Sequence, residues 1–194
     1  MSNKEGRGSG ETPVLVVIGA TGGIGSELCQ RLAAQGTRLV MAGRNAERLH
    51  ALADEVGALP MVLDATCSDA VNQCFADVLA EYGRVDGVAN CVGSLLLKPA
   101  HLTSDEEWNE TLTTNLTSAF VTVRAAARAM MKTGGSIVLV SKGSMALHPL
   151  GRIGEPADVA AAIEWFLDPA QNWVTGQVLG VDGGLGSLRT RGSA

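Results

Sequence analysis

The feature that most limits what this chain can fold into is an alternation. Short apolar runs, each too brief for a helix, take turns with longer segments whose apolar residues recur at three- and four-residue spacing. Val14–Ile18 (VLVVI) is uninterrupted by any polar residue, as a strand buried on both faces must be. Arg38–Ala42, Leu59–Leu63, Val85–Cys91, Ser136–Val140 and Gln177–Val181 read as five more strands. Between them lie helical patterns. The clearest, opening at Ser68, places Val71, Cys74, Phe75, Val78, Leu79 and Tyr82 on one face.

Punctuation supports the same division. Asn45 is an N-cap ahead of Leu49, Leu52, Ala53 and Val56, and Gly57 stops that helix. Ser104-Asp105-Glu106-Glu107 has the form of a capping box, and a helical stretch follows to about Lys132. Pro156 suits the first position of a helix carrying Val159, Ile163, Phe166 and Leu167. Strands alternating with helices predict a doubly wound parallel sheet in three α/β/α layers, with strand order 3-2-1-4-5-6.

At 194 residues, 46% hydrophobic and 18% charged, the chain suits a single domain, expected over 13–186 between tails at 1–12 and 187–194. A net charge of -5 with no basic run argues against nucleic acid. No apolar stretch reaches the roughly 20 residues of a membrane span, and the charged, Gly-rich N-terminus lacks the apolar core of a signal peptide. Cys29, Cys67, Cys74 and Cys91 show no C-x-x-C pairing; the expectation is four small buried hydrophobes, no metal and a cytoplasmic location.

The first strand runs straight into GATGGIG, residues 19 to 25, and then a helix. Glycines let a phosphate approach the backbone, and free N–H groups at a helix start point toward it. After the first strand of an alternating pattern, such a turn points to a dinucleotide. Its spacing resembles the T-G-x-x-x-G-x-G turn of the short-chain dehydrogenase/reductase family, with Ile18 where that family usually has threonine. Asp64-Ala65, Asn90-Cys91-Val92-Gly93, Thr114-Asn115-Leu116, GRIGEPADVAAAI and VTGQVLGVDGG resemble further stretches of the family, in order, from residue 13 to 186.

The resemblance implies a Rossmann-type fold, a homo-oligomer, and an oxidoreductase moving hydride between a nicotinamide and an alcohol or carbonyl. It assigns cofactor contacts to Gly19, Thr21, Gly23, Ile24, Gly25, Asp64, Ala65, Asn90 and Gly93, and support of a proton relay to Asn115. At the tip of strand two, where an acid would select NAD, stand Gly43 and Arg44. A guanidinium suits the extra phosphate of NADP, so NADP(H) is favoured, with NAD(H) the alternative.

The family's chemistry rests on a serine after strand five and a Tyr-x-x-x-Lys pair a dozen or so residues later. No Tyr-x-x-x-Lys occurs in this chain. Tyr82, the one tyrosine, reads as a core residue before a helix stop. After Ser141 the sequence passes almost at once to HPLGRIGEP, which resembles a region several dozen residues further along the family pattern. The fold is therefore expected to be truncated between the fifth strand and the C-terminal helix. A naturally shortened relative, an engineered deletion and a segment missing from the sequence in hand all account for this. Ser141 and Ser144 are the candidates for the substrate contact; Lys142 holds the usual serine position and reads as a solvated loop charge. Loss of a helix there should expose small apolar surface around Ala125–Met131. Two functions follow: an oxidoreductase impaired as written, or a non-catalytic dinucleotide-binding or interaction protein on the same fold.

Overall fold

A computed structural model describes residues 12–141 and 152–184. Its centre is a parallel sheet of five strands: β1 (Val14–Ile18), β2 (Arg38–Gly43), β3 (Leu59–Val62), β4 (Gly87–Asn90) and β5 (Ser136–Leu139). They are hydrogen-bonded in the order β3-β2-β1-β4-β5. The reversal of winding lies between β1 and β4, which pair from Leu15↔Gly87 to Ile18↔Asn90. A crevice at the carboxyl ends of those strands is where such sheets bind ligands.

Helices cover both faces. On one side lie α1 (Gly23–Ala34), α2 (Ala46–Val56) and α6 (Pro156–Leu167). Leu28, Leu32, Leu49, Ile163 and Leu167 close there over Leu15, Val17 and Met41. On the other lie α3 (Ser68–Tyr82) and α5 (Ser118–Met130). They place Val71, Phe75, Val78, Val121 and Ala126 over Val14, Val16, Ile18 and Val88. Every residue of β1 is buried, as its unbroken apolar run requires.

The expected caps form. Asn45 accepts from the Arg48 N–H, and Gly57 ends α2 in the left-handed conformation at φ 69°. The Ser104–Glu107 capping box opens α4 (Asp105–Leu112), reinforced by Lys98, whose ammonium reaches the Glu107 carboxylate at 2.7 Å. Glu155 and Asp158 form another box at the start of α6, with Pro156 at its first turn. Between α4 and α5 the helix loosens to a π turn over Thr113–Thr117. Such turns interrupt helices at functional positions, and Asn115 sits inside this one. At the opposite end of the sheet, Asp86 is buried and accepts from the Val14 N–H at 2.9 Å and from Arg84 at 2.7 Å.

Three expectations need correction. Gln177–Val181 is not a strand: residues 172–181 are exposed throughout, and β5 is an edge. A strand is held by ladder bonds to a neighbour, and among the described residues no strand pairs with the outer edge of β5. The alanine-rich stretch is also less bare than foreseen. Ala125, Ala126 and Met130 are buried on the sheet and α3, leaving Ala127, Arg128 and Met131 exposed. Finally, Cys29, Cys74 and Cys91 are buried but Cys67 is exposed, because it stands at the N-cap of α3 and not on its inner face.

Candidate functional site

The five strand ends bring the sequence-predicted residues to one edge. Gly19–Gly25 follows β1, Gly43-Arg44 closes β2, Asp64-Ala65 follows β3, Asn90–Gly93 follows β4 and Ser141 follows β5. Because all five strands are parallel, that edge is the carboxyl edge throughout. Ser144 and Lys142 lie outside the described residues.

The turn after β1 is tied down from beneath. The Gly19 and Ala20 N–H groups both donate to the Ala42 carbonyl, at 2.8 and 3.0 Å, and the Gly22 N–H donates to the Gly19 carbonyl. Gly19 is left-handed, φ 82°, and a Cβ there would stand 2.9 Å from the Val92 nitrogen. A Cβ on Gly25 would stand 2.2 Å from the Gly19 carbonyl oxygen, so only glycine lets α1 begin this close beneath the turn. The first helical bond of α1 is donated by Ser26, to Gly22 at 2.8 Å. The N–H groups of Gly23, Ile24 and Gly25 precede it and have no carbonyl within the helix, and no side chain caps the end. Those three donors, a positive helix end and an open glycine cradle fit a diphosphate.

Around that cradle the other positions are held by local bonds. The β2 end is close by: a Cβ on Gly43 would lie 3.5 Å from the Thr21 hydroxyl. Arg44, the next residue, is exposed. Asp64 accepts from the Thr66 N–H at 2.9 Å and the Thr66 hydroxyl at 2.8 Å. These bonds, with the Arg44 charge as a smaller contribution, hold the Asp64 carboxyl below its usual range. Ala65 is buried beside it.

Asn90 is buried, and its side-chain carbonyl accepts from the Val92 N–H at 3.0 Å. That closes the turn which delivers Gly93 to Asn115: a Cβ on Gly93 would lie 3.0 Å from the Asn115 Oδ1. Asn115 accepts from the Ser94 N–H at 3.0 Å and donates to the Thr111 carbonyl at 2.9 Å. The π turn and the loop after β4 are thereby locked together. Ser141 stands exposed beyond this group.

Sequence reasoning missed several participants. Thr66 and Ser94 are short-range partners of predicted residues, and the Asx-type turn of Asp64 was the only signal for the former. Pro156 was read as a helix start; the structure also sets it beside the glycine turn, 3.5 Å from where a Gly23 Cβ would be. Nothing in the local sequence gives that long-range contact.

A doubly wound parallel sheet with a glycine cradle at its switch point is a dinucleotide-binding architecture. Comparison with known proteins narrows this. The sequence model of the short chain dehydrogenase family matches residues 13–149, and that described as enoyl-(acyl carrier protein) reductase matches residues 140–186. The chain belongs to the short-chain dehydrogenase/reductase family.

Among its relatives, galactitol 2-dehydrogenase (L-tagatose-forming) of Cereibacter sphaeroides is 28% identical over 236 positions, covering 87% of this chain and 92% of the relative. That alignment is longer than the 194 residues of this chain, so the relative carries segments with no counterpart in it. The 3-oxoacyl-[acyl-carrier-protein] reductase FabG of Escherichia coli is 31% identical over 74% of this chain and 63% of its own length. A 3beta-hydroxysteroid dehydrogenase of Mediterraneibacter gnavus is 34% identical, and the chain spans about half of it, 49%. The solved structure of ElxO with NADP bound superposes with a TM-score of 0.85 at 18% identity, over 92% of this chain and 100% of that one; this is a likeness of fold. Among the described residues, no helix is long and apolar enough to cross a membrane.

Proposed function

We propose that this chain is a nicotinamide-dependent oxidoreductase of the short-chain type acting on an alcohol or carbonyl, with turnover impaired in the form given. A single domain over 13–186 carries the function. The observation behind the proposal is the convergence of the unclaimed Gly23–Gly25 N–H groups with the bonded Asn90–Gly93–Asn115 group at one sheet edge. A nicotinamide bound there supplies hydride transfer; the remaining tasks fall to the chain's own residues.

Gly19, Thr21, Gly23, Ile24 and Gly25 hold the diphosphate. Asp64 and the Ala65 backbone hold the adenine, and Asn90 and Gly93 shape the floor. Arg44 meets the additional phosphate of NADP, which makes NADP(H) the preferred cofactor over NAD(H). Asn115 supports the proton relay, and Ser141 or Ser144 contacts the substrate oxygen. Relatives named for a polyol dehydrogenase and a 3-oxoacyl reductase support the alcohol/carbonyl class. No tyrosine is followed four residues later by lysine, and Tyr82 is half-buried against the core at the end of α3. Loss of a general acid costs roughly 10²- to 10⁴-fold in rate, so turnover is slow. That same gap favours a second reading, a dinucleotide-binding or interaction protein without catalysis.

Titration calorimetry with NADPH and NADH, followed by reduction of a ketone panel monitored by cofactor absorbance, separates the readings. Binding with slow reduction supports the first, binding without reduction the second, and no binding refutes the first and the dinucleotide-binding form of the second.

The homo-oligomer that the family resemblance implies has a counterpart along α4, the π turn and α5. Trp108, Leu112, Leu116 and Phe120 recur every fourth residue and are exposed by 56, 36, 64 and 59%. A second copy packed on this stripe makes the protein a homo-oligomer; Leu116→Glu lowers the mass seen by light scattering if so. Four cysteines without a disulfide suit the reducing cytoplasm, where we place the protein.

A further inference from the structure

The two edges of the sheet are built differently. β3 carries Pro60, a residue that blunts an edge by removing a donor. β5 reads Ser-Ile-Val-Leu, with no charge and no proline. Ser136 and Val140 donate inward, to Asp86 and Asn90 at 3.0 Å each. By the two-residue alternation of a strand, Ile137 and Leu139 therefore turn their N–H and C=O groups outward, away from β4. Leu139 is also 48% exposed. The edge is an open template for another strand.

The same chain holds a segment with strand-forming residues that joins no sheet. Val174–Val181 (VTGQVLGV) is rich in β-branched and apolar residues, yet every residue of it is exposed; Val178 is 100% and Leu179 57% exposed. α6 runs back from the carboxyl edge, where Pro156 meets Gly23, toward the opposite end, where Leu167 lies over Leu15. Nine residues, 168–176, separate it from Gln177, a reach of about 30 Å when extended. A segment leaving there can enter a neighbour's sheet from its amino end, in the parallel sense.

We propose that Gln177–Val181 of one copy adds in parallel to β5 of a second copy, each chain giving and receiving one strand. Reciprocal exchange uses both open edges and closes at a dimer, so no filament grows. It also covers Leu139 and Val178 together. This pairing is independent of cofactor binding and of the α4–α5 stripe.

Hydrogen exchange on the 194-residue chain, over a hundredfold range of concentration with mass followed by light scattering, tests it. The amides of Ile137, Leu139 and Gln177–Val181 are expected to slow together, at least tenfold, as the mass rises. Val178→Pro and, separately, Leu179→Pro act on exposed residues and leave the fold intact. One or both abolish the protection at β5, while Leu116→Glu leaves it in place. Exchange of Gln177–Val181 at the unstructured rate at every concentration overturns the proposal. So does protection that ignores dilution, which assigns the strand to its own chain, and so does β5 protection that survives both proline variants.

Discussion

Replacing Gly25 by alanine isolates the physical claim about the turn after β1. The added methyl would lie 2.2 Å from the Gly19 carbonyl oxygen and 3.0 Å from the Ala20 Cα. Both obstacles are backbone, so no rotamer change relieves them. A carbon and an oxygen need about 1 Å more than this, and the turn must open by that distance. Overpacking of this kind costs about 1–3 kcal/mol. Opening the turn also breaks the bonds from Gly19 and Ala20 to Ala42, which set the cradle. Gly23→Ala is the control, since its methyl meets only the Pro156 ring, at an ordinary 3.5 Å. Urea unfolding should place Gly25→Ala lower by about 1–3 kcal/mol and Gly23→Ala within about 0.5 kcal/mol of the parent. Titration with NADPH should show at least a tenfold loss for Gly25→Ala. If Gly25→Ala matches the parent in both stability and affinity, the close approach of helix to turn is wrong.

Four other outcomes follow from the same geometry. Arg44→Asp should reverse cofactor preference in calorimetry, weakening NADPH at least tenfold while NADH holds or improves; unchanged NADPH affinity removes Arg44 from the site. Asp86→Ala removes the acceptor of the buried Val14 N–H and the carboxylate that Arg84 reaches at 2.7 Å and should cost about 2–4 kcal/mol in denaturant. The Asp64 carboxyl, held low by Thr66, stabilises the fold above its unfolded pKa of about 4, and this is lost as pH falls through the lower folded value. The melting difference between the parent and Asp64→Asn should therefore be present at pH 7 and vanish in acid; a gap that widens in acid contradicts it. Of the four thiols, Cys67 alone is exposed, whereas burial pushes Cys74 up to about 11. A thiol reagent should meet one fast group in the native protein and four after unfolding, and Cys67→Ser should abolish the fast phase.

Where burial and local bonding decide, the sequence was readable. The unbroken run of Val14–Ile18, the Asn45 and Ser104 caps and the Gly57 stop each express a short-range requirement, and each formed as expected. The candidate cofactor positions were legible because parallel strands must end at the same edge. Longer-range relations were not. The π turn around Asn115 has no proline or glycine to mark it, and the contact of Pro156 with the glycine turn joins residues more than a hundred positions apart. Gln177–Val181 has strand-forming residues, but strand formation depends on a partner to pair with, which its own sequence does not encode. Cys67 was misjudged because cysteine usually packs inward, while an N-cap faces out.

The central claim is that the Gly19–Gly25 turn and the start of α1 grip a dinucleotide diphosphate. Amide resonances of Gly23, Ile24 and Gly25, followed as NADPH is added to the isotopically labelled chain, test it most directly. These three signals should shift most and saturate together, with Arg44 and Ala65 following. Shifts confined to other surfaces, or none at millimolar NADPH and NADH, would contradict it.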